Sequence, residues 1–345
     1  MKHFLKIYFT TILLFICVGT VSAFGYVIFN RDAVIFPSFK EIVDTVKIDE
    51  DKDLTALEKA IKNSSRINIL LVGKEHVRTD TIMLVSYDKE EKKANILSIP
   101  RDTYYERVDY DNRQQKKINA VYQAEGIEGL IYAVENVTMM PVHKYVTVDY
   151  EAVVSVVDLL GGIEVDVPMN MRYSDPFDTP PLEIDIKAGV QTLDGETALK
   201  FLRFRHNSDG TGYPDGDIGR IKTQQSFIKV AIKKALGFKL PAVINEAFKY
   251  IDTDFTLTEM LALATGLVGF SMDDLQTDII DHYTKTIDNL NYVVPNEAGI
   301  EEYVYKLYNV EKEDILYDGL IQIEEDNTKE DSKEADNTED STKDE

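Results

Sequence analysis

Five short runs of β-branched and aliphatic residues constrain this chain most: Ile67 to Val72, Thr81 to Tyr87, Ala94 to Ile99, Tyr145 to Val148 and Ile163 to Val167. Stretches with helical spacing alternate with them, at 119–138, 150–160 and 218–237. Strands separated in this way bury their faces under the intervening helices, so the order predicts one α/β domain with a sheet between helical layers. Beyond Pro241 the pattern is helical again, and Leu257, Met260, Leu261 and Ala264 are spaced for one buried face, suited to a core or to the wall of a lipid pocket.

The ends of the chain differ from its middle. Residues 7–29 carry no charge, and about 20 apolar residues span a bilayer as a helix. Lys2 and Lys6 precede this run, which places residues 1–6 in the cytoplasm and the remainder outside the cell. Val21-Ser22-Ala23 resembles a signal-peptidase site, but the apolar run continues to Phe29 and favours a retained single-pass anchor. Residues 30–65 read as a stalk and entry helix, 66–240 as the core, and 241–322 as a helical part of the same domain. From Glu324 to Glu345 there are eleven acidic residues and three lysines, so 323–345 reads as a disordered tail that cannot repay its ordering entropy.

Charge and cysteine usage exclude several functions. A net charge of -23 repels polyanions, and with no basic patch or helix-turn-helix signal no nucleic-acid partner is expected. Cys17 is the only cysteine, which leaves no intramolecular disulfide and no soluble zinc thiolate site. The five histidines have no ligand spacing, so a metal here would be a hard, oxygen-bound ion.

Only ten arginines occur, and five of them lie in motif-like settings. In the first, Gly73-Lys74-Glu75 leads to Arg78-Thr79-Asp80, and residues two apart in an extended segment share a face, which puts Arg78 beside Asp80. It is not a nucleotide P-loop, because Asn68 stands where a glycine is required and no Ser or Thr follows Lys74. In the second, Ser98-Ile99-Pro100-Arg101-Asp102 ends a strand, and proline there stops the ladder and turns Arg101 toward the crevice where open sheets bind ligands. In the third, Phe201-Leu202-Arg203-Phe204-Arg205 alternates as a strand, with Leu202 and Phe204 inward and two guanidinium forks outward, a pairing suited to a diphosphate. In the fourth, Asp217-Ile218-Gly219-Arg220 opens a helix with Ile221, Ile228, Ile232 and Leu236 on its buried side. Arg220 and Gln224, four apart, lie one above the other. Each motif taken singly also has a plainer reading, as a surface ion pair, a strand-ending turn, a basic stripe on an exposed strand or a helix cap.

Together with Lys117-Ile118-Asn119-Ala120 and Leu193 to Leu199, these motifs resemble the LytR-CpsA-Psr family from about Ile67 to Leu236. The resemblance implies a three-layer α/β/α domain with a central mixed β-sheet, holding a polyprenyl lipid in an apolar pocket and its pyrophosphate on arginines beside Mg²⁺ or Mn²⁺. By that likeness Arg101, Arg203, Arg205, Arg220 and Gln224 clamp the pyrophosphate, joined by Arg78, Lys117 and Asn119, while Asp80 and Glu75 hold the ion. The general base stays open among Asp80, Glu75 and Asp102. The implied reaction moves a teichoic-acid-like or capsular glycopolymer from its polyprenyl-pyrophosphate carrier to a peptidoglycan sugar hydroxyl, forming a phosphodiester. Two other readings are a lipid-pyrophosphate hydrolase and a non-catalytic envelope sensor or transcriptional attenuator. Three features depart from the family pattern: Glu75 for the usual Asp, Thr223 where a second arginine is usual, and a longer Gly- and Asp-rich stretch at 207–216, expected to be a mobile lid or acceptor-facing loop.

Overall fold

A computed structural model describes residues 54–75, 78–107, 110, 112–178, 181–236, 240–287 and 289–311. The expected anchor at 7–29 and the acidic tail at 323–345 lie outside the described residues, and no described helix is long and apolar enough to cross a membrane. The chain divides into two units, Met1–Lys59 and Ala60–Glu345.

A short helix, α1 (Ala56–Asn63), precedes the first strands, β1 (Arg66–Glu75), β2 (Arg78–Asp88) and β3 (Lys93–Ser98). Helix α2 (Val121–Thr138), strand β4 (Lys144–Val148) and helix α3 (Tyr150–Leu160) follow. Next come β5 (Ile163–Val167), β6 (Met171–Asp175), β7 (Leu182–Ile186) and β8 (Gly189–Leu193), then α4 (Gly195–Arg203) and α5 (Asp217–Ala235). The chain continues with α6 (Leu240–Ala247), β9 (Ile251–Thr253), α7 (Leu257–Gly266), β10 (Leu275–Ile279), β11 (His282–Ile287), β12 (Leu290–Pro295) and α8 (Glu297–Leu307).

The main sheet runs β10-β3-β2-β1-β4-β9. β2 is antiparallel to both neighbours, β4 and β10 pair in parallel with β1 and β3, and β9 is antiparallel to β4, so the sheet is mixed as the family resemblance implies. One face presents Leu71, Met83, Tyr87 and Ile96 to Ile228 and Ile232 of α5 and Leu263 of α7. The opposite face buries Leu70 and Val72, with Asn68 donating to Tyr308 Oη, 3.0 Å away just past α8. Helices thus lie over both faces, as the alternation of strands and helices predicts. A second cluster joins β5 to β8 with α3, α4 and α5 around Phe201 and Phe204.

Two expectations need correction. The 241–322 region is not purely helical, since it supplies β9 to β12, and β9 and β10 form the two edges of the main sheet. These strands are short and polar, and they acquire extended structure by pairing with β4 and β3 rather than from their own pattern. The stretch 201–205 is not a strand, because α4 runs to Arg203. Asp194 caps that helix by accepting the Thr197 N–H, and Ala198 and Phe201 bury one face. Phe204 then leaves the helix in extended conformation (φ -62°, ψ 133°). Five residues fit both periods, and the cap upstream decides for the helix.

Candidate functional site

Four segments deliver charge to one end of the sheet. Gly73 and Thr81 face each other in the β1–β2 ladder, where a register shift follows Gly73. A side chain at Gly73 would bring its Cβ within 3.0 Å of the Thr81 Cβ, so glycine permits the close pairing next to Asp80. After β3, a turn closed by the Thr103 N–H on the Pro100 carbonyl at 3.0 Å carries Arg101. The end of α4 carries Arg203 and the residues beyond it carry Arg205, while the first turns of α5 carry Asp217, Arg220 and Gln224.

These side chains converge. Arg101 donates to Asp80 Oδ1 at 2.8 Å and Arg205 to the same oxygen at 3.2 Å. Arg220, whose side chain is 3% exposed, donates to the Asp80 carbonyl at 3.3 Å and to Asp217 Oδ1 at 2.8 Å. Asp217 Oδ1 also lies 3.9 Å from Arg101 Nε. Arg203 bonds Asp178 at 2.5 Å and rests 4.6 Å over the Tyr150 ring. Four guanidiniums therefore gather around Asp80, Asp178 and Asp217 in a strongly acidic chain. The Nε atoms of Arg101 and Arg220 and the Oδ2 of Asp217 are buried without a hydrogen-bond partner. Buried polar atoms are rarely left so, and donors in this state suit an incoming anion. Burial raises the Asp217 carboxyl above its ordinary range; Arg220 and Arg101 offset part of that rise, and nearby Asp102 and Asp80 add to it.

An apolar cavity of about 320 Å³ opens beside this cluster. Val148 of β4, Val153 and Val156 of α3, Phe227 and Ala231 of α5, and Met260 of α7 form its wall. Gly73, Thr81, Leu202 and Gln224 line both this cavity and a smaller one of about 100 Å³ that holds Asp80, Arg203 and Arg220. A polar pocket of about 260 Å³ adjoins on Arg203, Arg205, Asp178 and His206.

Other expected site residues are placed differently. Gln224 is buried and gives its amide to the Leu202 carbonyl at 3.1 Å, so it braces the end of α4. Lys117 pairs with Asp102 at 3.0 Å, and the Asn119 backbone N–H reaches the Arg101 carbonyl at 3.2 Å, so these residues support the Arg101 turn. Glu75 and Arg78 face each other across the end of the β1–β2 ladder, and their side chains lie outside what is described. Among the described residues no group of three or more His, Cys, Asp or Glu gathers as a metal site. Thr223 bonds the Gly219 carbonyl and lines a separate cavity beside Glu164 and Asp166. The 207–216 stretch is no free lid: Ser208 bonds the Arg172 carbonyl on β6, and Tyr213 is buried with its ring centroid 5.7 Å from that of Phe204.

Sequence reasoning read Asp217 only as a cap, although its i,i+3 spacing to Arg220 signalled a partner. Tyr150 and Asp178 lie 53 and 25 residues from Arg203, so their contact with it has no local signal.

A sheet carrying arginines and carboxylates at the mouth of an apolar cavity defines the class, and the chain matches the LytR_cpsA_psr family model over residues 33–309. The chain belongs to that family. It is 31% identical over 232 residues to the polyisoprenyl-teichoic acid–peptidoglycan teichoic acid transferase TagV of Bacillus subtilis, covering 65% of this chain and 58% of that protein. The crystal structure of TagV superposes with a TM-score of 0.59 at 29% identity, covering 71% of this chain and 96% of the TagV chain. TagU of Oceanobacillus iheyensis, also named a teichoic acid transferase, is 27% identical over 287 residues, 77% of this chain and 84% of TagU. The regulatory protein MsrR of Staphylococcus aureus is 29% identical over 205 residues, 56% of this chain and 58% of MsrR.

Proposed function

We propose that this protein transfers a teichoic-acid-like or capsular glycopolymer from a polyprenyl-pyrophosphate carrier to a peptidoglycan sugar hydroxyl. The observation that carries this reading is the shared wall between the apolar cavity and the arginine cluster, since a ligand with a hydrocarbon chain and a diphosphate head satisfies both at once. The names of TagV and TagU supply the reaction class.

In the proposed reaction the acceptor hydroxyl oxygen attacks the phosphorus that bears the glycan. A new P–O bond forms, the P–O bond to the polyprenyl phosphate breaks, and the hydroxyl proton passes to one of the carboxylates of Asp80, Glu75 and Asp102. Arg101, Arg205 and Arg220 exchange their present carboxylate and carbonyl partners for phosphate oxygens, and Arg203 does the same from Asp178. Charge building on the bridging and leaving oxygens is thereby met by groups already in place. Mg²⁺ takes hard carboxylate oxygens, and Asp80 and Glu75 are its proposed ligands. When bound, the ion supplies further neutralisation of the diphosphate. Residues 7–29 anchor the chain, with the catalytic domain outside the cell.

The test incubates the full-length chain in detergent with glycan-labelled lipid-pyrophosphate donor, peptidoglycan and Mg²⁺. Label in the polymer, lost on chelation and restored by Mg²⁺, is expected. Soluble labelled glycan alone would make it a hydrolase, and no turnover of the donor would reject the enzymatic reading in favour of an envelope sensor.

A further inference from the structure

Arg203 belongs to two cavities. One is the small pocket that holds Asp80 and Arg220 and shares a wall with the apolar cavity; the other is the polar pocket of about 260 Å³ that Arg205 and His206 also line. Among the described residues the polar pocket and the apolar cavity have no lining residue in common, so the arginines have two separate openings, one polar and one apolar. In phosphoryl transfer the attacking and leaving oxygens stand roughly in line across the phosphorus. With the leaving polyprenyl phosphate drawn toward the apolar cavity, the attacking hydroxyl arrives through the polar opening.

The polar pocket is made by two segments stitched together. The Arg172 N–H donates to Asn207 Oδ1 at 2.6 Å, the Ser208 N–H to the Arg172 carbonyl at 2.9 Å and the Ser174 N–H to Ser208 Oγ at 3.1 Å, which fixes β6 against the residues that follow Arg205. Tyr173 and His206 meet across this seam edge to face, with ring centroids 5.4 Å apart. His206 Nδ1 lies 2.9 Å from the Asn207 carbonyl oxygen. A carbonyl only accepts, so Nδ1 carries the hydrogen and Nε2 of the neutral ring is left as an acceptor. Asp175 and Asp178 line the pocket together with Arg203 and Arg205, so it offers little net charge for a free ion to seek and suits a neutral ligand rich in hydroxyls. Phe177 sits between those two aspartates in the chain, 94% exposed, with its backbone N–H donating to Asp175 Oδ1 at 3.0 Å. A bare aromatic ring beside a polar pocket matches the C–H face of a pyranose.

We propose that this pocket seats the acceptor sugar. His206 Nε2 accepts from one hydroxyl, Asp178 accepts from a second once Arg203 has turned to phosphate, and Phe177 covers a face of the ring. The attacking hydroxyl is thereby aimed at the phosphorus held on Arg203 and Arg205. The assignment rests on the transferase reading for its chemistry.

The test uses His206→Ala and Phe177→Ala, two exposed positions on which the fold does not depend. Transfer is followed with labelled lipid-pyrophosphate donor and soluble peptidoglycan glycan strands as acceptor. Each variant should raise the acceptor KM about tenfold while the donor KM stays at its wild-type value. His206→Gln, whose amide oxygen can accept, should recover most of the loss. In a second arm, calorimetric titration of the full-length chain in detergent with the same strands and no donor should show saturable binding that each alanine variant weakens about tenfold. The second arm keeps two failures apart. Binding weakened in the variants, with no turnover by wild type, upholds the pocket as a glycan seat and rejects the transferase. Normal transfer with an unchanged acceptor KM in both variants rejects the pocket and leaves the transferase standing. A donor KM that rises as much as the acceptor KM, or no saturable binding of the strands by wild type, also overturns the proposal.

Discussion

Filling the apolar cavity separates its role as a lipid seat from a role in stability. Ala231 of α5 lines that cavity and is only partly buried, so Ala231→Phe projects a ring into it. The volume of about 320 Å³ equals that of about ten liquid waters at ~30 Å³ each, ample for one ring without the strain of overpacking. Burial of a phenyl ring contributes about 1.5–3 kcal/mol, and the helix propensity lost against alanine costs about 0.5 kcal/mol. The net stabilisation of about 1–2.5 kcal/mol corresponds to a rise of about 2–10 °C in Tm for a domain of this size. The ring displaces roughly one isoprene unit of the donor. At about 0.8 kcal/mol per buried carbon, the loss for its five carbons is about 4 kcal/mol, or on the order of 1,000-fold in binding. The assay compares KM for a long-chain polyprenyl donor with KM for a donor whose chain is too short to reach α5. A higher Tm with a raised KM for the long donor alone is expected. An unchanged long-chain KM, or equal losses with both donors, refutes the assignment of this cavity to the lipid.

Arg101→Ala and Arg203→Ala should each abolish transfer while the melting temperature stays close to wild type, because both remove charge stabilisation rather than core packing; wild-type turnover in either rejects the site. Arg107, 4% exposed, donates to the Gln115 carbonyl at 2.9 Å and to Glu125 at 3.0 Å, and its guanidinium lies 3.6 Å over the Tyr110 ring. Arg107→Ala should cost about 2–3 kcal/mol in urea unfolding, since Glu125 is exposed enough to hydrate once alone. His143 Nδ1 accepts the Asn68 backbone N–H at 2.9 Å, and burial lowers its pKa below the ordinary 6.5. The fold therefore prefers neutral imidazole, and the unfolded chain takes up the proton first as pH falls. Stability should be full above pH 6.5 and decline as pH drops from there toward the lower folded pKa. His143→Asn, whose amide oxygen can accept the same N–H, should flatten that decline in melting curves taken between pH 7 and pH 5.

Local patterning determined much of this protein. The strands of the main sheet up to β4 and the helices α3 and α5 follow from runs of apolar residues with their own period. The motif arginines Arg101, Arg203, Arg205 and Arg220 were legible because arginine is scarce and each of these sits where a strand or helix begins or ends. Tertiary structure alone decided which charges meet. Arg205 and Asp80 are 125 residues apart, Arg220 and Asp80 are 140 apart, and no local period encodes such a pairing. It decided also that residues 201–203 continue a helix, that polar edge strands β9 and β10 join the sheet, and that Gln224 braces α4. The physical reason is common to all of these. Period and propensity act over one or two turns, whereas buried charge pairing and edge-strand pairing depend on partners that only the folded chain brings within a few ångströms.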